Sequence, residues 1–123
     1  MQRVIGLGGP FIKAKDPQKL ADWYDKHLGT RFNGKTYVDF GNTDVPGSNV
    51  FSFFKEDSAY FAPSIKEVMV NFRVHDLFAL IKVLQEEGVT LVGEPMDEVY
   101  GKFAWIMDPE GNKVELWEAP KEG

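Results

Sequence analysis

The chain has 123 residues, 43% of them apolar and 27% charged, which is the composition of one globular domain with a core of its own. Its 14 Lys+Arg against 19 Asp+Glu, with no basic run, exclude nucleic acid and anionic membrane as principal partners. No apolar run reaches membrane-spanning length, the opening MQRVIGLGGPF lacks the apolar core of a signal peptide, and the absence of cysteine removes disulfides, thiol nucleophiles and Cys-based metal sites, so a reducing cytoplasm is the expected compartment.

Near the N-terminus, GLGG (residues 6–9) is not a phosphate loop, because no helix follows it and the lysine-hydroxyl pair is missing. Such glycines let a strand pass close to another strand or chain. The segment FIKAKDPQKLADWYDKHLG, from Phe11, then reads as a strand running to Asp16, a helix, and a closing Gly29. Aspartate is a favoured N-cap, proline suits the first helical position, and glycine supplies a left-handed C′ residue. Leu20, Trp23, Tyr24 and Leu28 are expected on the apolar face of that helix. Strands are predicted at Arg31–Phe32, Thr36–Phe40 and Val50–Phe54, with the turn-rich GNTDVPGSN between the last two.

After the linker EDSAYFAPSIKE, the segment NFRVHDLFALIKVLQEEG from Asn71 repeats the first unit: strand, capping Asp76, helix and closing Gly88. Leu77, Leu80, Ile81 and Leu84 carry its apolar face at spacings of three and four. Strands are predicted at Thr90–Val92, Lys102–Met107 and Lys113–Trp117, the last two joined by the turn DPEGN. The chain is therefore a duplicated strand–helix–three-strand unit, with a first module over about 1–56, a linker over about 57–67 and a second module over about 68–120. Neither half covers its own sheet, so the halves should pack as a pair.

KDPQKLADWYDKHLG and YGKFAWIMDPEGNKVELW make this sequence similar to the vicinal-oxygen-chelate superfamily of glyoxalases, bleomycin-resistance proteins and extradiol dioxygenases. The resemblance implies an α+β fold of two βαβββ modules, whose strands form an open, curled U-shaped sheet around a cavity with helices outside, often as a homodimer. In metal-dependent members four ligands come from the first and last strand of each module. Here those positions are Gly9, Ser52, Met69 and Glu115, with Phe51 replacing Ser52 if the register slips by one. Only Glu115 is a typical donor for a hard or borderline divalent ion. The two histidines, His27 and His75, lie at helix termini and read as surface residues.

Strand alternation turns Phe11 and Lys13 of the first strand, and Met69, Asn71 and Arg73 of its repeat, toward the cavity. Glu115 and Trp117 share the inward face of the last strand, and Ser52, Phe54, Phe103 and Trp105 are further candidates, with parity open to inversion by bulges. Tyr100-Gly101 is placed by the resemblance at the cavity mouth. The expected ligand is a small aromatic or anionic molecule, stacked on Trp105 and Trp117 and fixed by Arg73 or Lys13. No cofactor is required by this reading, and Glu115 is the natural general base if the protein is an enzyme. Two other readings stand beside it: a metal-dependent lyase, isomerase or dioxygenase with an atypical ligand set, and a dimeric interaction module with a vestigial cavity.

Overall fold

The computed structural model describes residues 1–42 and 48–120, so most of the turn-rich GNTDVPGSN connection lies outside the described residues. The elements run β1 (Val4–Ala14), α1 (Pro17–Leu28), β2 (Tyr37–Asn42), β3 (Ser48–Lys55), a 3₁₀ turn (Ala59–Phe61), β4 (Val68–Val74), α2 (Leu77–Glu86), β5 (Met96–Glu98), β6 (Gly101–Met107) and β7 (Lys113–Glu118). All seven strands form one curled sheet in the order β2-β3-β1-β4-β7-β6-β5. The α+β architecture expected from the sequence is the one observed.

The duplication is visible in the pairing. Each module's first strand runs parallel to that module's last, β1 beside β3 and β4 beside β7. The two first strands meet antiparallel, with Gly9 opposite Asn71 and Phe11 opposite Met69. Both helices start as read: Asp16 accepts from the Lys19 amide at 3.1 Å and Asp76 from the Ala79 amide at 3.2 Å. The helices cover one face of the sheet. Leu77, Leu80 and Ile81 pack with Val74, Ala104 and Leu116 in the second module, while Ala21 packs with Phe32, Val38 and Phe53 in the first.

Three expectations need correction. Trp23 is not in the core: it stands 52% exposed with its ring 4.8 Å from that of His27, and Ala21 takes the buried position (the Leu28 side chain lies outside the described residues). Arg31–Phe32 is not a strand, because the Asp25 carboxylate collects the Thr30 hydroxyl and the Phe32 and Asn33 amides into a loop with positive φ at Arg31 and Asn33. Thr90–Val92 makes only an isolated bridge, Leu91 to Ile106, before Gly93 turns the chain at φ 71°. The pairing segment that sequence reading missed is β5, seven residues before the Phe103 it faces.

The GLGG run is explained by close approach to neighbouring strands. At Gly9, φ is 133° and a Cβ would lie 1.6 Å from the Val50 carbonyl oxygen. At Gly8 a Cβ would lie 1.7 Å from Asn71 Oδ1. Gly9→Ala should therefore cost about 3 kcal/mol or more in urea unfolding, since the backbone and not a flexible side chain is in the way. Gly111→Ala, where φ is 83° but nothing lies within 4 Å, should cost only about 1 kcal/mol. Equal losses at the two sites would contradict the close approach.

Candidate functional site

The face of the sheet opposite the helices carries alternate residues of every central strand. Register fixes which ones: Phe11 pairs with Ser52, Asn71 with Glu115, Arg73 with Trp117, and Trp105 with Glu115. Ser52 therefore belongs to this face. Phe51 is on the other, packed in the α1 core, so the register is the unslipped one.

Glu115 is at the centre and only 2% exposed. Its Oε1 accepts from Asn71 Nδ2 at 2.7 Å, and its Oε2 accepts from Trp105 Nε1 at 2.8 Å and from the Tyr60 hydroxyl. Both carboxylate oxygens are thus satisfied by protein donors. Asn71 is itself 3% exposed, and its Oδ1 lies against Gly8 with no hydrogen-bond donor among the described residues. Burial raises the Glu115 carboxyl above the ordinary carboxylate range, partly offset by the bonds from Tyr60, Trp105 and Asn71 and by the nearby Lys113 charge. Burial also holds the Tyr60 phenol well above its ordinary value, with the Glu115 charge adding to the effect.

Two members of this group escaped the sequence reading. Tyr60 comes from the linker, whose aromatic pair Tyr60-Phe61 was the available signal. The 3₁₀ turn folds back over the sheet, buries Phe61 completely and packs it against Phe11 and Met69. The face is thus a filled trough at its centre and not an empty hollow. Lys113 shares the parity of Glu115 and is 8% exposed; its ammonium donates to the Tyr60 carbonyl and sits 5.3 Å from the Tyr60 ring and 5.6 Å from the Trp105 ring. Burial lowers its pKa, against the raising effect of Glu115.

The remaining candidates fall in four places. Phe54 stacks on Tyr60 at 5.3 Å and lies 5.3 Å from Phe11. Ser52 and Phe54 also line an open groove of about 650 Å³ with Tyr37, Asp57 and Ser58. Lys13 places its ammonium 5.3 Å from the Phe61 ring. At the far end, Trp117 and Phe103 lie parallel at 6.3 Å, Tyr100 is 5.6 Å from Phe103, and Trp117 Nε1 donates to the Tyr100 carbonyl at 3.2 Å. Arg73, 4% exposed, donates from Nε to the Leu7 carbonyl at 2.8 Å. Lys13 and Arg73 occupy matching places in the repeats, yet the cation beside the Glu115 cluster is Lys113.

The ligand positions implied for a metal do not form a donor set. Gly9 has no side chain and no room for one, and Met69 is 1% exposed among apolar neighbours. Ser52 offers one hydroxyl, while Glu115 is engaged by three donors. Among the described residues no three His, Cys, Asp or Glu side chains converge, and both histidines are exposed.

The sequence matches the Glyoxalase/Bleomycin resistance protein/Dioxygenase superfamily over residues 10–116, and the chain belongs to that superfamily. No curated protein matches it. Among solved structures, it resembles a Streptomyces coelicolor methylmalonyl-CoA epimerase variant in complex with 2-nitronate-propionyl-CoA, at TM-score 0.75 and 17% identity over 96% of this chain and 99% of that one. The methylmalonyl-CoA epimerase of Mycobacterium tuberculosis superposes at TM-score 0.65 with 23% identity, over 96% and 90% of the two chains. A structure described as the NAD-dependent benzaldehyde dehydrogenase of Legionella pneumophila gives 0.62 and 12%, over 91% and 98%. At these identities the likeness is one of fold. Among the described residues, no helix is long and apolar enough to cross a membrane.

The raised Glu115 carboxyl sets a pH dependence. Between the ordinary carboxylate pKa and its own, the folded chain binds a proton that the unfolded chain has released, so stability falls as pH rises through that window. In urea titrations from about pH 4 to 8, the difference in stability between wild type and Glu115→Gln should shift in favour of the variant as pH rises. A difference that stays constant, or moves the other way, would contradict the raised value.

Proposed function

We propose that this chain is a small-molecule-binding member of the superfamily, taking an aromatic ligand on the curled face without a tightly bound divalent ion. The observation that carries the proposal is the Glu115 cluster. A buried carboxylate is held by three side-chain donors, two of them the aromatic side chains of Tyr60 and Trp105, with Phe54 stacked on Tyr60, while the positions that would complete a metal site carry no second strong donor. Aromatic walls favour a planar ligand, and a few fixed polar groups at their base orient it.

Lys13 and Arg73 extend the same face and suit an anionic or carbonyl substituent at its edge, with Lys113 beside the Glu115 cluster. If catalysis occurs, Glu115 is the group placed to accept a proton, its basicity raised by burial. The reading includes a cytoplasmic homodimer, supported by the cysteine-free composition and by the habit of the superfamily.

A thermal-shift panel of aromatic acids, phenols and aromatic carbonyls against chelator-treated protein tests this. At a hundred times its dissociation constant a true ligand should raise the melting temperature by roughly 10 °C, and Trp105→Ala should abolish the shift. A panel without effect, or shifts that survive in Trp105→Ala, would remove the reading. Stabilisation that depends on added Zn²⁺, Ni²⁺ or Mn²⁺ would favour the metal-dependent alternative instead.

A further inference from the structure

Tyr60 occupies the Glu115 slot as a ligand would. Its hydroxyl donates to Glu115 Oε2, its ring lies nearly parallel to Phe54 (11°, 5.3 Å) and edge-on to Trp105 (89°, 6.1 Å), and the Lys113 ammonium stands 5.3 Å from its centroid. Each wall of the slot thus answers a different part of a phenol: stacking surface, edge contact, cation over the π-face, and an acceptor for the hydroxyl.

The tether allows exchange. Phe61 is wholly buried and anchors the turn, whereas Tyr60 is 37% exposed and its flanking Ala59 and Ala62 are exposed. Rotation about the Tyr60 Cα–Cβ bond can withdraw the ring without moving Phe61. The Ser58 hydroxyl, which accepts from the Tyr60 amide at 3.2 Å, can hold the backbone of the turn meanwhile.

The geometry points to a phenol-specific site in which Tyr60 is a built-in competitor: the external ligand is an aromatic ring bearing a hydroxyl donor, and it binds by displacing the Tyr60 side chain from Glu115. This rests on the curled-face reading above and narrows it. At the base of the slot an acceptor awaits, already satisfied by Asn71 and Trp105 as its other donors. A neutral hydroxyl completes that set, whereas a ligand carboxylate would meet the Glu115 carboxylate and be repelled.

The probe is 4-methylphenol, the tyrosine side chain cut free, with 4-methylanisole and benzoate as controls. Its affinity is measured by calorimetry for wild type, Tyr60→Ala and Tyr60→Phe. Tyr60→Ala should bind 4-methylphenol roughly tenfold or more tightly than wild type, because the intramolecular occupant is gone, and 4-methylanisole should bind at least tenfold more weakly than the phenol. Tyr60→Phe keeps the ring but not the bond to Glu115 and should also gain affinity, which preserves the test should the alanine variant fail to fold. Affinities within twofold of wild type in the folded variants, or equal binding of phenol and anisole, would overturn the proposal. A panel ligand that still stabilises wild type in that case leaves the general reading standing and this one refuted, so the two failures are distinct.

Discussion

A carboxylate almost out of reach of water is tolerable only when its oxygens are occupied, and the arrangement around Glu115 meets that condition with three donors from three separate parts of the chain. Asn71 comes from the first strand of the second module, Trp105 from the strand beside Glu115, and Tyr60 from the linker. The sheet register brings the first two within reach, and the 3₁₀ turn brings the third. Removing Asn71 would leave Oε1 of a buried acid without its donor, which costs more than an ordinary hydrogen bond contributes, whereas Oε2 keeps one donor when either Tyr60 or Trp105 is withdrawn. The glycines of β1 serve the same end, since side chains at 8 or 9 would displace Asn71 or the β3 backbone.

The duplication explains why the cluster lies where it does. Because β1 and β4 meet antiparallel at the middle of the sheet, Pro10 faces its equivalent Val70, and the residues on either side exchange partners, Gly9 with Asn71 and Phe11 with Met69. In a fully symmetric arrangement both halves would contribute alike. Here the first half supplies Gly9, Phe11 and Ser52, whereas the second supplies Asn71 and Glu115, so the chemistry has collected on one side of the junction. Apolar bulk from Phe11 of β1, Met69 of β4 and Phe61 of the linker packs together on the same face of the sheet. Apolar burial and polar satisfaction are linked, because the Phe61 anchor is what sets the Tyr60 hydroxyl over the carboxylate.

Much of this was legible from residue patterns, and the limits were physical. Both helices announced themselves through Asp16 and Asp76 as caps and through period-3.6 apolar faces, signals that are local and strong. Glu115 was legible by parity next to Trp117, and Asn71 by its place two residues before Arg73. The short element at Met96–Glu98 was not, since three exposed residues after Pro95 carry no alternation. Arg31–Phe32 misled because Phe32 is buried like a strand residue while its amide is spent on Asp25, a contact seven residues away. Tyr60 and Lys113 were missed for a related reason: a linker has no period to read, and a lysine is presumed solvated unless something covers it. Trp23 shows the converse, an aromatic at a helical spacing that nothing covers.

The central claim is that protein donors, and not an ion, satisfy the Glu115 carboxylate. Carbon-detected NMR of protein labelled at glutamate Cδ, with Glu115→Gln to assign the resonance, addresses it directly. The account predicts one carboxyl signal titrating above the ordinary glutamate range and unmoved by a stoichiometric divalent cation. A signal titrating at or below that range, and shifted or broadened by one equivalent of Zn²⁺ or Mn²⁺, would contradict it.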